Sequence, residues 1–476
     1  MIDTKALRSR VLDLAIRGKL TEQLSSDGTA EELYQQIQAE KQRFISNIKS
    51  EDIPFDIPSN WKWVRLGEIV SILGGKRIPA GRSLTTDNTG HKYIRVSDMK
   101  NMSVETSNLL YVPEDIYPKI SRYIINKEDV YITVAGTIGR VGTIPDEIDG
   151  ANLTENSDRL VFTSLDKNWL VFTLSADTVQ KQISYLTTQV AQPKLAIKKI
   201  QEFILPLPPL AEQKRIVERV EEIFRILDTI DEAQEKYTAD VESLKAKLIT
   251  AGIQGKLTEQ LDSDGTAEEL YQQIQEEKQK LIKEGKIKKE KPLPAIKDEE
   301  IPFEIPENWK WVRLGSLLHG VTDGPHYSPK YIDSGIPFIS TRNIANGKLD
   351  FSSAKYISPE LHEELCKRCK PKKGDVLYSK GGTTGIAVVN DSDIEFNVWV
   401  HVAVLSMGAN VNPYYLAMAL NSPHCYGQSQ EYTKGTANRD LGLTRMVKIT
   451  LPLPPLAEQK RIAEVLEKTM GAVDRL

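Results

Sequence analysis

The chain contains most of its sequence pattern twice, and the two copies are displaced relative to its ends. Between the repeated blocks, residues 68–204 and 316–450 are nearly equal in length but share little sequence. Two similar frames therefore carry two different variable segments. The repeated blocks are GKLTEQLSSDGTAEELYQQIQAEKQRFI at Gly18 to Ile45 and its near copy at Gly255 to Ile282, IPFDIPSNWKWVRLG at Ile53 to Gly67 and its near copy at Ile301 to Gly315, and LPLPPLAEQKRI at Leu205 to Ile216 and again at Leu451 to Ile462.

The composition is that of a globular protein with two or three domains. The chain has 476 residues, of which 40% are hydrophobic, and no apolar run approaches the roughly 18 residues of a membrane span. Its first residues, MIDTKALRSR, lack the apolar core of a signal peptide. The 3 cysteines cannot form a disulfide framework. We therefore expect a cytoplasmic protein that does not enter the membrane.

Charge is distributed unevenly along the chain. The formal net charge is -4, yet residues 53–210 hold 18 basic and 17 acidic side chains, and residues 301–455 hold 16 and 14. The variable segments are thus slightly basic and the repeated segments acidic. This contrast is compatible with local contact to nucleic acid.

A long helix is predicted after the first LPLPPLAEQKRI block. A 4-3 spacing of apolar residues keeps one narrow seam on one side of a helix, as in a coiled coil. A helix over Leu210 to Thr250 would be roughly 60 Å long at 1.5 Å per residue. Gln234 interrupts the seam, either as a partly solvated side chain or as a buried one that fixes register. The seam consists of Ile216, Val220, Ile223, Leu227, Ile230, Tyr237, Val241, Leu244 and Leu248.

The two ends of the chain carry the halves of a second such helix. Leu7 and Val11 correspond to Leu244 and Leu248, whereas the last twenty residues correspond to the start of the first long helix. The repeat is therefore closed in a circle. We expect an α+β protein in which two mixed, strand-rich globular domains are joined by two long antiparallel helices with cyclic pseudo-two-fold symmetry. The predicted segments are 1–52 and 456–476 for the halves of the second helix region, 53–210 and 301–455 for the globular domains, and 211–300 for central helices and a linker.

Within the globular domains, buried strands are predicted to lead into glycine-rich turns. In the first domain these are residues 93–99 and 129–139, and in the second 338–344 and 375–385. The basic run KEGKIKKEKPLPAIK at residues 283–297 is absent from the first copy and is predicted to be a solvated linker.

Motifs for catalysis or metal binding are weak throughout the chain. There is no phosphate-binding G-x-x-x-x-G-K-[ST] loop, and the turns at residues 136–139 and 381–385 lack the helix of a nucleotide fingerprint. Cys366 and Cys369 have zinc-ligand spacing but no second pair. Asn412 to Tyr415 (NPYY) is one residue away from the N-P-P-[YFW] motif of amino-methyltransferases. We therefore predict no catalytic residue and no metal ligand.

The two GKLTE blocks, the two LPLPPLAEQ blocks and the circular repeat together resemble the specificity subunit of type I restriction-modification enzymes over essentially the whole chain. The resemblance implies two target recognition domains, each reading half of a split site on double-stranded DNA. It also implies that the helices bind two modification (methyltransferase) subunits and, through them, restriction subunits. S-adenosylmethionine, ATP and magnesium would then belong to the partners and not to this chain.

Base sequence is read mainly by side chains at base edges, whereas phosphate contacts position the protein. We therefore take strand-end and loop residues as the DNA-contacting candidates, each against the simpler interpretation of a solvated turn residue. Trp61, Trp63, Trp309 and Trp311 lie in a repeated block and are assigned to packing. The candidates in the first domain are Lys76, Arg77, Arg82, Arg95, Ser97, Thr137, Arg140, Gln189, Gln192 and Lys194. The candidates in the second domain are His326, Ser340, Arg342, Asn343, Lys380, Thr383, Thr384, Lys434, Asn438 and Arg439.

Two other functions remain open on the sequence alone. The first is a fused DNA adenine methyltransferase that uses Asn412 to Tyr415. The second is a coiled-coil adaptor whose globular domains bind proteins. A catalytically silent DNA-recognition subunit fits the pattern better than either.

Overall fold

The computed structural model describes residues 1–40, 48–187, 194–435 and 439–475. The chain divides into two units, Met1–Glu235 and Lys236–Leu476. Each unit combines helices with several small sheets, so the α+β class and the two strand-rich domains are confirmed.

In the first unit, the repeated segments form helices and the variable segment forms most of the strands. Its helices are α1 (Thr4–Ile16), α2 (Ala30–Glu40), α3 (Leu66–Ile69), α4 (Tyr117–Ile120), α5 (Lys167–Ser175), α6 (Asp177–Thr187), α7 (Ile197–Gln201) and the start of α8 (Leu210–Ile253). Its strands are β1 (Lys62–Arg65), β2 (Ser71–Gly74), β3 (Lys92–Ile94), β4 (Met99–Lys100), β5 (Ser103–Val104), β6 (Leu110–Tyr111), β7 (Ile124–Ile125), β8 (Val130–Thr133), β9 (Val141–Thr143), β10 (Ala151–Leu153), β11 (Ser157–Val161) and β12 (Ile204–Leu207).

The second unit begins with the end of α8 and repeats the plan of the first. Its helices are α9 (Ala267–Lys283), α10 (Leu314–Leu317), α11 (Pro359–Cys366), α12 (Pro413–Leu420), α13 (Pro423–Tyr432), α14 (Leu443–Met446) and α15 (Leu456–Val473). Its strands are β13 (Lys310–Arg313), β14 (Leu318–Asp323), β15 (Ile336–Ile339), β16 (Lys355–Ile357), β17 (Val376–Ser379), β18 (Ala387–Val389), β19 (Asn397–Val398), β20 (Val402–Met407) and β21 (Thr450–Leu453).

Three sheets of the first unit have counterparts in the second, whereas β7 and the two-stranded sheet β4-β5 occur, among the described residues, only in the first. A two-stranded sheet joins the repeated blocks, as β1-β12 in one unit and β13-β21 in the other. A four-stranded antiparallel sheet has the order β2-β11-β8-β9 or β14-β20-β17-β18. A third sheet contains one parallel pair, β3 with β10 or β15 with β19. The two variable segments thus share a topology despite their different sequences.

Each unit also contains an antiparallel helix pair. In the first unit, the Arg8 guanidinium of α1 contacts Asp228 of α8 at 2.7 Å and Asp231 at 3.0 Å, while Thr21, beyond the end of α1, contacts Glu212. In the second unit, Lys245 of α8 contacts Asp474 at 2.8 Å. The predicted long helix is confirmed, and α8 extends three residues beyond the predicted Thr250. That the chain ends jointly build a second helix stays a prediction.

A buried glutamate explains why the repeated blocks occur together. The Glu212 carboxylate is fully buried and accepts hydrogen bonds from Trp61 Nε1 at 2.8 Å, Thr21 Oγ1 at 3.0 Å and Gln23 Nε2 at 2.6 Å. These four residues, one or more from each repeated block, form what we call the first glutamate cluster. A buried charge needs such partners to remain in the core.

The second unit contains the same arrangement with its own residues. The Glu458 carboxylate is also fully buried and accepts hydrogen bonds from Trp309 Nε1 at 2.8 Å, Thr258 Oγ1 at 3.0 Å and Gln260 Nε2 at 2.8 Å. We call these four residues the second glutamate cluster. The assignment of Trp61 and Trp309 to packing is therefore confirmed, and the LPLPPLAEQ motif joins helix, strand and loop within each unit.

Two sequence expectations differ from the structure in detail. Residues 93–99 do not form one strand, because β3 ends at Ile94 and the Asp98 carboxylate accepts from the Arg95 backbone N–H at 2.8 Å in a 3₁₀ turn. The predicted linker at 283–297 is mostly exposed, but its end is held in place. There the Arg313 side chain donates to the carbonyls of Pro294 and Ala295 at 3.1 and 3.0 Å. In the described parts of the chain, no helix has the length and apolar character needed to cross a membrane.

Candidate nucleic-acid interface

Five loop segments meet at one edge of the first unit, which we call the first edge: residues 75–77, 95–98, 134–140, 154–156 and 194–195. Backbone hydrogen bonds connect them, from Lys76 N to Leu153 O at 2.8 Å, from Val134 N to Asn156 O at 2.8 Å and from Leu195 N to Val134 O at 2.9 Å. The strands β2, β3, β8 and β10 deliver these loops together because their ends lie side by side in the sheets.

The second unit has a corresponding edge, the second edge, formed by residues 324–326, 340–343, 380–385, 399–401 and 439–441. Its backbone bonds repeat those of the first, with Trp399 N to Ile339 O at 2.8 Å, Lys380 N to His401 O at 2.9 Å and Leu441 N to Lys380 O at 2.7 Å. Each edge requires a glycine at a point where two backbone segments pass very close to each other. A Cβ on Gly75 would lie 2.0 Å from Thr154 O, and one on Gly324 would lie 1.7 Å from Val398 O.

Most candidates of the first unit lie on the first edge. Lys76 and Arg77 follow β2, Arg95 and Ser97 follow β3, Thr137 and Arg140 lie in the turn between β8 and β9, and Lys194 precedes Leu195. Arg82 instead pairs with Asp115 ahead of α4. Gln189 and Gln192 lie outside the described residues.

These side chains differ in how free they are. Arg95 is held by Asp98, at 2.9 and 2.6 Å, and by the Asn108 carbonyl at 2.9 Å. Arg77 pairs with Glu155, and Arg140 donates to Met99 O at 3.2 Å. The exposed side chains of Lys76, Thr137 and Lys194 form no hydrogen bond or ion pair within the described residues, and the Ser97 hydroxyl only bonds its neighbour Asp98 at 3.3 Å.

The candidates of the second unit divide into exposed and buried residues. His326, Arg342, Thr383, Lys434 and Arg439 are exposed on or beside the second edge, and Ser340 is half-buried there. Three others are buried: Asn343, Lys380 and Thr384. Asn438 lies outside the described residues.

The buried candidates have bonding partners inside the unit. Asn343 Oδ1 accepts from the Ser340 backbone N–H at 2.9 Å, as Asp98 does for Arg95 in the first unit. The Thr384 hydroxyl accepts from Gln430 Nε2 at 3.0 Å. These contacts shape the loops, so the exposed residues are the ones available to a ligand.

A difference between the edges follows from their common frame. Because Asp98 and Asn343 cap equivalent 3₁₀ turns, Ser97 and Arg342 occupy the same position, one residue before the cap. Arg342 is exposed, and its guanidinium has no ion pair or side-chain hydrogen bond among the described residues. The second edge therefore offers a free arginine where the first offers a hydroxyl.

The sequence interpretation missed a pair of residues beside the first edge. The Arg122 guanidinium lies 4.9 Å from the ring centroid of Tyr123, the Lys76 ammonium lies 5.7 Å from the same centroid, and Arg122 Nη2 donates to Tyr123 Oη at 2.8 Å. The hydrogen bond from Arg122 lowers the pKa of Tyr123. The adjacent Arg122 and Tyr123 were the only sign of this site in the sequence. They lie just before β7, far in sequence from Lys76, so their proximity to Lys76 could not be predicted.

Burial changes the titration of groups at both edges. Burial raises the pKa of Asp158 in β11 to about 6, while the nearby charge of Lys194 acts in the opposite direction. At the second edge, burial and the charge of Lys380 lower the pKa of His401.

The weak catalytic and metal motifs have structural roles. Asn412 caps α12, with its Oδ1 accepting from the Tyr415 backbone N–H at 2.9 Å, and the buried Tyr415 donates to Pro452 O at 2.8 Å. Asp166 caps α5 in the same way. Cys366 ends α11 and Cys369 lies beyond it. The described residues contain no group of three or more His, Cys, Asp or Glu side chains arranged to hold a metal ion.

Two units with one frame and two unlike edges define a duplicated α+β binding protein. A family model for the type I restriction modification DNA specificity domain matches residues 58–237 and 306–473. The chain belongs to the family of type I restriction-modification specificity subunits.

Relatives and a solved structure agree with this assignment. The EcoAI specificity subunit of Escherichia coli is 26% identical, with 99% of this chain and 90% of that protein aligned. The EcoEI specificity subunit of Escherichia coli is 23% identical over the same shares. A structure described as the basis of complex assembly and conformational transition of the type I R-M system has a TM-score of 0.58 at 18% identity, covering 89% of this chain and 93% of that one. This last similarity concerns the fold.

Proposed function

We propose that this chain is the DNA-recognition subunit of a type I restriction-modification enzyme and that each unit reads one half of a bipartite, asymmetric DNA site. The proposal rests on one observation: the two units share a fold but present different side chains at their first and second edges. Equivalent turns present Ser97 in one unit and Arg342 in the other. Different side chains at one framework position favour different bases, so the two half-sites are expected to differ.

The second half-site is expected to contain a guanine. A free guanidinium donates two parallel hydrogen bonds to O6 and N7 of guanine, the commonest base-specific protein contact. Arg342 is the exposed arginine of the second edge that we assign to this contact, since the guanidinium of Arg439, the other exposed arginine there, lies 3.5 Å from Gln430 Oε1. A serine hydroxyl both donates and accepts, so Ser97 favours no single base.

We further propose that the chain is itself non-catalytic. The long helices would bind two modification subunits and, through them, the restriction subunits. S-adenosylmethionine, ATP and magnesium would be bound by those partners. The structural roles of Asn412 and Tyr415 as a helix cap and a core residue support this assignment over a fused methyltransferase.

The proposal is tested by methyl transfer with and without partner subunits. The purified chain, supplied with DNA and labelled S-adenosylmethionine, is expected to transfer no methyl group, whereas the chain with its modification subunits is expected to methylate one sequence. Transfer by the purified chain alone would instead support the fused methyltransferase. Normal assembly without sequence-dependent DNA binding would support the protein adaptor.

Cations beside the first edge are expected to contact phosphates. Each lost phosphate contact lowers the slope of log K against log salt by about 1 and weakens binding to all sequences alike. We therefore expect this result for Lys76→Ala and for Arg122→Ala when the complex is titrated onto DNA between about 50 and 200 mM salt. Lys181→Ala, on α6 and paired with Asp177, is the control and should keep the slope. Unchanged slopes in the first two variants would remove these residues from the interface.

A further inference from the structure

The side chain of Lys380 joins three separate segments inside the second unit. Lys380 is 4% exposed, and its ammonium nitrogen lies 2.9 Å from Asp440 Oδ1, 3.0 Å from Val400 O and 3.4 Å from Asp323 Oδ2. The ammonium group donates hydrogen bonds to Asp440 and Val400, and its contact with the Asp323 carboxylate is an ion pair. These three partners come from the end of β14, the turn before β20 and the segment that precedes α14.

Each carboxylate that contacts this ammonium group also lies near an arginine. Asp323 is buried and also pairs with Arg368 at 2.6 Å, while Asp440 is half-exposed and lies 3.8 Å from Arg445. Buried charges that are paired and hydrogen-bonded are stable in place, but loss of one partner leaves the other uncompensated. Lys380 holds the Asp440 carboxylate, while Arg445 Nη2 donates to the Asp440 backbone carbonyl at 2.8 Å.

Asp440 in turn positions two exposed cations. Its backbone exchanges two hydrogen bonds with Lys434, at 2.9 and 3.0 Å, and the preceding residue Arg439 accepts from Gly382 N at 3.3 Å. Lys434 and Arg439 thus flank the residue that Lys380 holds. All three lie on or beside the second edge.

The first unit does without this ion pair. Val134 occupies the frame position of Lys380, is 1% exposed, and accepts from Leu195 N at 2.9 Å as Lys380 accepts from Leu441 N at 2.7 Å. In the first unit, an apolar residue is therefore sufficient for the fold at this position. The charged group serves a purpose particular to the second unit.

We infer that Lys380 is a positioning residue for DNA recognition by the second unit: through Asp440 it fixes Lys434 and Arg439 against the second half-site. This inference rests on the proposed DNA-reading function. It gives Lys380 a role different from the predicted direct contact with DNA, and the test distinguishes the two.

The test compares Lys380→Met, Asp440→Asn and the double variant, each assembled with modification subunits. Methylation rates are measured on the cognate site and on sites with one base pair changed in either half. Each variant, including the double, is expected to lose discrimination in the second half-site by about tenfold, with the first half-site unchanged. Equal losses of discrimination in the single and double variants would show that Lys380 and Asp440 act through the same interaction. Asp440→Asn keeps the test valid if Lys380→Met does not fold.

Val376→Ala is the control for packing, because it opens a cavity in the core of the second unit at the start of β17, away from the second edge. It is expected to lower the melting temperature without changing discrimination in either half-site. Wild-type discrimination in both single variants, or additive losses in the double, would overturn the inference. A uniform loss on all sequences with a salt slope reduced by about 1 would show instead that Lys380 contacts phosphate. If the wild-type complex itself shows no sequence dependence, the proposed function fails and not merely the inference.

Discussion

Replacing Glu458 with alanine is expected to lower the free energy of unfolding of the second unit by about 3 kcal/mol. The side chain of Trp309 is buried, and the change leaves its indole N–H without an acceptor. It also removes the hydrogen bonds that Thr258 and Gln260 donate to Glu458. Hydrogen bonds to a charged group are worth about 1.5–3 kcal/mol, and an unsatisfied buried donor adds its own desolvation penalty. The second glutamate cluster should therefore be one of the most sensitive sites in the unit.

Hydrogen exchange measures this effect unit by unit. Amides of β13 and β21 that exchange through global opening of the second unit should exchange about a hundredfold faster, while those of the first unit keep their rates. Glu212→Ala should produce the converse pattern. Glu467→Ala, an exposed site on the same helix as Glu458, is the control and should change stability by less than about 0.5 kcal/mol. Equal exchange in Glu458→Ala and wild type would contradict a structural role for the cluster.

Replacing Arg342 with alanine is expected to cost about 1–3 kcal/mol of discrimination at one base pair of the second half-site. The Arg342 guanidinium can donate two parallel hydrogen bonds to guanine. Truncation should therefore raise methylation of sites that carry other bases at that position. The fold should remain intact because the side chain is exposed and forms no ion pair among the described residues.

The control for Arg342→Ala is Ser97→Ala, at the same framework position of the first unit. Any change it causes should map to the first half-site only. The measurement is the methylation rate of the complex on a set of single-base variants of the site. An equal loss on all sequences would show that Arg342 contacts phosphate, and no change at all would remove it from the interface.

The helices and the duplicated plan were predictable from the sequence, because their signals are local or repeated. The 4-3 spacing after Leu210 predicted α8, and the capping box of Thr266 and Glu269 begins α9 as expected. Strand ends and glycine-rich turns were also predictable, which located both edges. Gly136 and Gly139 take positive φ in the turn between β8 and β9, a conformation that favours glycine.

The bonding state of individual side chains was not predictable in the same way. Lys380 looked like a surface cation because its partners Asp323 and Asp440 are distant in sequence. Asn343 was a candidate for DNA contact, yet its Oδ1 accepts from the Ser340 backbone N–H in a 3₁₀ turn that the hydrophobic pattern does not reveal. The pairing of Glu212 with Trp61 was hidden for the same reason, although both lie in repeated blocks. Local patterns indicate where loops lie, whereas burial decides which of their residues remain free.

The most direct test of divided recognition is the methylation map of DNA modified by this chain with its modification subunits. The account predicts one motif made of two unlike half-sites, separated by a fixed number of unspecified base pairs, with a guanine in the half read by the second unit. A single contiguous motif, or two identical half-sites, would contradict it.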